Sequence, residues 1–261
     1  MDKSHLQDID PGAKIGKKVH IGPFVTIEKD VEIGEGTWIG PNVTIFNGAR
    51  IGSNCKIFPG AIISGIPQDL KFEGEQSILT IGNNVIIREY CTINRGTKAN
   101  YTTEIGDNCM LMAYVHVAHD CLIGENSILA NNVNLAGHIE IGKHCVLGGL
   151  TAVHQFVKIG DFSMVGGGSL VRKDVPPFVK AAREPMSYVG VNSVGLRRRG
   201  FSRKQINHIQ DIYRILFVKG YNTRQAAEVI GATIKSSPER EKILNFISAA
   251  DRGVMRGFRN N

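Results

Sequence analysis

The chain has 261 residues and a formal net charge of +7, and its 30 glycines come with only nine prolines, which excludes a collagen-like or low-complexity composition. No run of about 18 apolar residues occurs, so a membrane-spanning helix is excluded. The opening Met1-Asp2-Lys3-Ser4-His5 is polar and unlike a secretory signal, and the expected compartment is the cytoplasm.

From the N-terminus onward the dominant feature is a six-residue period. Ile15, Ile21, Ile27, Ile33, Ile39, Ile45, Ile51, Ile57 and Ile63 share one phase, which resumes at Ile81 and runs to Val171. Of the 27 positions in that phase, 24 are Ile, Leu or Val; the exceptions are Asp69, Glu75 and Ala99. A helical period of 3.6 would walk an apolar stripe off any six-residue phase, so helix is excluded here. Gly often follows the aliphatic residue (Gly16, Gly34, Gly52, Gly106, Gly124, Gly142), and a small residue stands four after it (Val25, Ala49, Ala61, Thr151). This is a hexapeptide-repeat signature. One short strand per hexapeptide and three hexapeptides per turn predict a mainly β fold, a parallel β-helix of triangular section over residues 1–190. Cys55, Cys91, Cys109, Cys121 and Cys145 all fall on the small-residue phase, and no CxxC occurs. They read as interior filler, neither disulfides nor metal ligands.

Two stretches, 64–80 and 95–104, lose the local pattern and are expected to loop out of the prism, a usual place for binding residues. The hexapeptides end at Val175-Pro176-Pro177, and residues 191–261 are expected to form a small α-helical domain. Ser202-x-x-Gln205 is a capping box before an amphipathic run that stops at Gly220. A second helix begins after Thr223, and Ser237-Pro238 signals a third. Residues 181–261 hold 15 Lys or Arg against six Asp or Glu, so the basic character belongs to this end. It fits a solvated helix surface, an acidic macromolecular partner or a phosphate-bearing substrate. Nucleic acid is disfavoured, because no aromatic platform or DNA-binding motif accompanies the charge.

With 18 residues per coil, His116, His119, His138 and His154 fall on one sector of the prism. Gly137 and Gln155 stack directly beyond His119, whereas His20 and His144 lie elsewhere and read as structural. Such a cluster suits general-base chemistry, with Asp120 orienting His119 or stabilising its imidazolium. The rival reading is a zinc site, since histidine is also a common zinc ligand.

The segments His116-Val-Ala-His119-Asp120-Cys121, Leu135-Ala-Gly-His138 and Ala152-Val-His-Gln155-Phe156, in this order, closely resemble the UDP-N-acetylglucosamine O-acyltransferases, the first enzymes of lipid A synthesis. Pro67-Gln-Asp-Leu-Lys71, Asp174-Val-Pro-Pro177 and Gly195-Leu-Arg-Arg-Arg-Gly200 fit the same family, so the resemblance spans nearly the whole chain. It implies a left-handed β-helix, a homotrimer with sites between subunits, and catalysis without metal or cofactor. His119 would deprotonate the sugar 3-hydroxyl with Asp120 as its partner, and the hydroxyl would attack the thioester of a 3-hydroxyacyl chain on acyl carrier protein. The Gly137 N–H would stabilise the oxyanion. His116, His138, His154 and Gln155 would position the sugar nucleotide and the acyl group, and Gln68, Asp69 and Lys71 would contact substrate. Asn192, Arg198 and Arg199 would reach the nucleotide of a neighbouring subunit, and Gly167 would help set acyl length. Acyl carrier protein is acidic and would dock on the basic C-terminal domain. Where the family carries a Glu two residues after Asn192, this chain has Val194.

Three other readings compete. A zinc-dependent hydratase of the γ-carbonic anhydrase type uses the same prism but a His pair five residues apart, absent here. A hexapeptide N-acyltransferase normally has an extra N-terminal domain. A purely structural prism predicts neither the His cluster nor the excursions.

Overall fold

The computed structural model describes residues 6–257, so the N-terminal pentapeptide and residues 258–261 lie outside it. Strands of two to five residues, parallel except for one hairpin at the C-terminal end, pair into three sheets of nine, eight and eleven strands that wind as a left-handed β-helix. Registry follows the repeat: Ile27 faces Ile45, Ile45 faces Ile63, and Val117, Leu135, Val153 and Val171 stack in turn. These side chains form one buried column, with the five cysteines beside it, all free and buried.

The two excursions keep the phase because each inserts whole hexapeptides. Ile51 pairs with Ile81, and Ile81 with Ile105, so Asp69, Glu75 and Ala99 fall outside the ladder. The excursions are narrower than expected, since strands already run at Ile78–Ile81 and Thr102–Ile105. They are clipped together by Lys98, whose N–H donates to Glu75 at 2.8 Å and whose Nζ pairs with Glu73 at 3.2 Å.

Each corner of the prism needs one residue in the left-handed region, and most are not glycine: Asn42, Asn54, Tyr114, Asp120, His138 and Phe156 all have φ between 56° and 67°. The glycines after the aliphatic column serve another purpose. A Cβ on Gly124 would lie 2.6 Å from the backbone carbon of Gly142 on the next coil, so only a bare Cα lets the coils close.

Strand structure persists beyond the expected end. Val179–Ala182 continues the third sheet in parallel and then forms an antiparallel hairpin with Ser187–Val191. Four helices follow: α1 (Ser193–Arg198), α2 (Arg203–Phe217), α3 (Thr223–Thr233) and α4 (Pro238–Ser248). The three helices legible in sequence start where their caps stand, and Ser202 and Gln205 form the full capping box. The short α1, capped by Asn192, was not among the helices expected. Tyr213 of α2 is fully buried and donates its hydroxyl to the Pro177 carbonyl, tying the helices to the last coils. The tail then returns: Asp174 N–H donates to Gly253 O at 3.1 Å and Met255 N–H to Asp174 O at 2.9 Å, laying residues 252–255 across the end of the prism. Among the described residues no helix is long and apolar enough to cross a membrane.

Candidate active site at one corner of the prism

The clustered histidines occupy one corner and its flanks on successive coils. The backbone dictates this: His119 and Gly137 are the second residues after their aliphatic positions, and Asp120 and His138 are the left-handed corner residues. The second position has a particular property. Pro23, Pro41 and Pro59 occupy it on earlier coils, so the ladder does not use that N–H. At Gly137 the N–H is present and has no hydrogen-bond partner among the described residues.

His119 is buried, and its Nδ1 lies 2.8 Å from Asp120 Oδ2. A carboxylate only accepts, so Nδ1 carries the hydrogen, and in the neutral ring the lone pair is then on Nε2. That Nε2 stands 4.0 Å from Asp69 Oδ2, brought in by the first excursion. A Cβ on Gly137 would sit 2.6 Å from His119 Cε1 and 2.8 Å from Nε2, so the bare glycine is what leaves the ring its place.

Asp120 is more heavily engaged than the sequence indicates. Its carboxylate accepts from Thr97 N–H at 3.0 Å, Thr97 Oγ1 at 2.6 Å and Asn100 N–H at 3.3 Å, and its own N–H donates to Thr103 Oγ1 at 2.8 Å. Burial alone would raise its pKa, but the hydrogen bonds from Thr97 and His119 outweigh burial and hold the carboxyl below its ordinary value. Thr97 and Thr103 were missed because only the return path of the second excursion brings them beneath Asp120. The sole sequence signal was the excursion itself.

His138 lies edge-on to His119, with centroids 5.0 Å apart, and stacks on Phe156 at 4.7 Å. Burial lowers its pKa, against the pull of Asp120. Burial also lowers that of His116, whose Nδ1 is 2.8 Å from Thr92 Oγ1. His154 is exposed on the next coil, its Nδ1 3.1 Å from both Arg252 Nη2 and the Gln155 carbonyl. Gln155 is half-buried beyond Gly137, and Gln68 and Lys71 are exposed on the excursion beside Asp69. His20 and His144 stack on Trp38 and Phe162, away from this corner.

Asn192, Arg198 and Arg199 are not part of this cluster within one chain. The Asn192 side chain is committed to the fold: its Oδ1 accepts from Gly195 N–H at 3.3 Å as the cap of α1, and its Nδ2 donates to Phe162 O at 2.9 Å. Arg198 and Val194 are exposed on α1, and Arg199 is half-buried after it. Gly167 is exposed, with room for a Cβ limited only by the Gly149 carbonyl at 3.0 Å.

His119, Asp120 and His138 could converge on one cation, their ligand atoms lying within 4.8 Å of one another. The donor set argues against it as the primary role. The Asp120 oxygens already accept four hydrogen bonds, one of them from His119 Nδ1, so a cation bound there would have to displace bonds already made. The geometry is that of an oriented general base with a bare N–H beside it.

The chain is similar to known proteins over nearly its whole length. The family "Udp N-acetylglucosamine O-acyltransferase; Domain 2" matches residues 174–255, and the bacterial transferase hexapeptide family matches 12–47, 30–65 and 102–137. The chain is 61% identical to the acyl-[acyl-carrier-protein]--UDP-N-acetylglucosamine O-acyltransferase of Chlorobium phaeobacteroides over 94% of this chain and 93% of that protein. It is 58% identical to the protein of the same name from Sulfurihydrogenibium sp., over 93% and 90%. A UDP-N-acetylglucosamine acyltransferase from Bacteroides fragilis superposes with a TM-score of 0.95 at 47% identity, covering 97% of this chain and 99% of that one.

Proposed function

Because this chain belongs to the UDP-N-acetylglucosamine O-acyltransferase family, we propose that its histidine corner transfers a 3-hydroxyacyl group from acyl carrier protein to the 3-position of UDP-N-acetylglucosamine or its 3-amino analogue, opening lipid A synthesis. The observation that carries this reading is the His119 ring, held by Asp120 with its Nε2 lone pair free beside Gly137.

His119 Nε2 takes the proton of the sugar hydroxyl as its oxygen attacks the thioester carbonyl carbon. The imidazolium that forms is stabilised by Asp120, which hydrogen bonds keep ionised. The Gly137 N–H donates to the oxyanion of the tetrahedral intermediate. Collapse breaks the C–S bond, and the proton passes from His119 to the leaving thiolate. No acyl-enzyme is required. The buried thiols would be poor nucleophiles, since burial pushes Cys91, Cys121 and Cys145 up to about 12.

Asp69 orients the acceptor against Nε2, with Gln68 and Lys71 beside it, while His116, His138, His154 and Gln155 line the corner for sugar and acyl group. Asn192, Arg198 and Arg199 act on the nucleotide of a neighbouring subunit in a homotrimer, Asn192 through the α1 cap that it builds. Gly167 leaves room for acyl chain, and the basic C-terminal helices receive the acidic carrier protein. Strands over 6–191 form one unit and the helices after it the other.

The test offers the purified protein both sugar nucleotides with 3-hydroxyacyl carrier proteins of several lengths, and reads products by mass spectrometry. An O- or N-acylated sugar nucleotide is expected. No product from any pair overturns the reading.

A further inference from the structure

Both ring nitrogens of His119 face a carboxylate, and both carboxylates are tied to one short stretch of chain. Nδ1 lies 2.8 Å from Asp120 Oδ2, and Nε2 lies 4.0 Å from Asp69 Oδ2. The second distance is too long for a direct hydrogen bond, so both atoms are left to accept polar hydrogens of the acceptor. Asp69 cannot hold that position by itself. It opens a turn at the tip of the first excursion, where its Oδ1 accepts Lys71 N–H and its carbonyl accepts Phe72 N–H, each at 3.0 Å. Leu70, within the turn, is fully exposed. Such a side-chain turn fixes the direction in which Oδ2 points, but not where the turn as a whole stands.

Among the described residues, the hydrogen bonds from 69–76 to other parts of the chain all go to Lys98 on the second excursion. Glu75 organises them. One of its oxygens accepts Lys98 N–H at 2.8 Å and the other accepts Glu73 N–H at 2.9 Å. Burial would raise the Glu75 pKa, but the N–H groups of Glu75 itself, Lys98 and Glu73 outweigh burial and keep the carboxyl below its ordinary value. The Lys98 Nζ pair with Glu73 at 3.2 Å is solvent-exposed and adds little, so the Glu75 bonds carry the clip. Phe72 adds a looser contact, its ring centroid 5.6 Å from the Arg95 guanidinium. The residue before Lys98 is Thr97, which donates both its N–H and its hydroxyl to Asp120. The contacts close a ring from His119 through Asp120, Thr97, Lys98 and Glu75 to Asp69 and back.

Resting on the transfer reading above, we infer that Glu75 is a positioning residue for the acceptor. Its carboxylate fastens the first excursion to the backbone of the second, and so sets where Asp69 stands against His119 Nε2. Glu75 acts only through Asp69. Because its partner is a backbone N–H, the side chain at position 98 is secondary.

The test measures steady-state kinetics with UDP-N-acetylglucosamine and a 3-hydroxyacyl carrier protein, together with melting temperature. Glu75→Ala is expected to raise KM for the sugar nucleotide roughly tenfold, the scale of a charge-assisted hydrogen bond, with KM for the carrier protein and melting temperature little changed. Glu75→Gln keeps an oxygen for Lys98 N–H and should recover most of the loss. Lys98→Ala keeps the N–H and should stay within about twofold of wild type. In an Asp69→Ala background, Glu75→Ala should add less than about twofold, because the two act on the acceptor as one unit. An unchanged KM, the full penalty repeated without Asp69, or equal rises in both KM values would each overturn the inference while leaving acyl transfer established. No transfer by the wild-type protein with any sugar nucleotide or carrier protein would instead overturn the transfer reading.

Discussion

At the scale of single residues, the site depends on one missing Cβ and one ionised carboxylate. Gly137→Ala would place a methyl carbon 2.6 Å from the His119 ring, so the imidazole must swing out of line. We expect transfer to fall about 10²- to 10⁴-fold, as for His119→Ala, with little change in melting temperature. A folded Gly137→Ala protein with wild-type kcat would refute the assignment. Thr97→Val removes the 2.6 Å hydrogen bond to Asp120 and should cost about 1–3 kcal/mol. The pH dependence has a definite sign. The folded pKa of Asp120 lies below its ordinary value of 3.8, so its contribution is complete above that value and is lost as pH falls through the lowered folded one. Thr97→Val brings the two values together, leaving less stability to lose on the acid side. Denaturation midpoints followed across the carboxylate range check this, and parallel profiles for the two proteins would contradict it. Of these residues, His119, Asp120 and Gly137 were legible because an 18-residue register stacks them whatever the loops do. Thr97 was not, because its place beneath Asp120 depends on how an insertion returns to the ladder.

At the scale of elements, the coils and the helices obey opposite rules about glycine. Gly124→Ala would press a Cβ against the Gly142 backbone and is expected to cost about 1–3 kcal/mol through overpacking. Gly231→Ala lies inside α3, where the nearest atom would be the end of Arg240 at 3.7 Å, and it should stabilise by about 0.5–1 kcal/mol. Thermal unfolding of the pair tests both signs, and loss of stability at Gly231 or none at Gly124 would count against this account. The repeat was readable because an aliphatic column must recur at fixed spacing, and two of the long helices because Ser202 and Ser237 cap them; α3 begins at Thr223 itself, since Asn222 rather than Thr223 is its cap. The hairpin 179–191 escaped notice because its second strand runs antiparallel and leaves the hexapeptide phase. The short α1 escaped because its cap, Asn192, had read as a ligand contact.

At the scale of the molecule, charge is segregated: the prism is close to neutral and the helical end is basic. Arg203 and Lys204 open α2 on exposed positions. Reversing both to Glu should weaken binding of acyl carrier protein by about tenfold at low salt, with the difference shrinking as salt screens it. Unchanged affinity at every ionic strength would make these charges an ordinary solvated surface.

The ladder carries one more consequence. The strand His116–Val117 is the sixth of nine in its sheet, with coils on both sides, and the first aliphatic residues are already wetted, Ile15 being 38% exposed. In a stack where each coil touches only its neighbours, opening proceeds as fraying from an end, and each further coil must be unzipped in turn. The hairpin and tail stopper one end, so fraying is left to the other. Amide exchange should therefore slow progressively from the N-terminal coils toward the histidine corner, and the catalytic geometry is insulated from breathing at the tip by the coils that precede it.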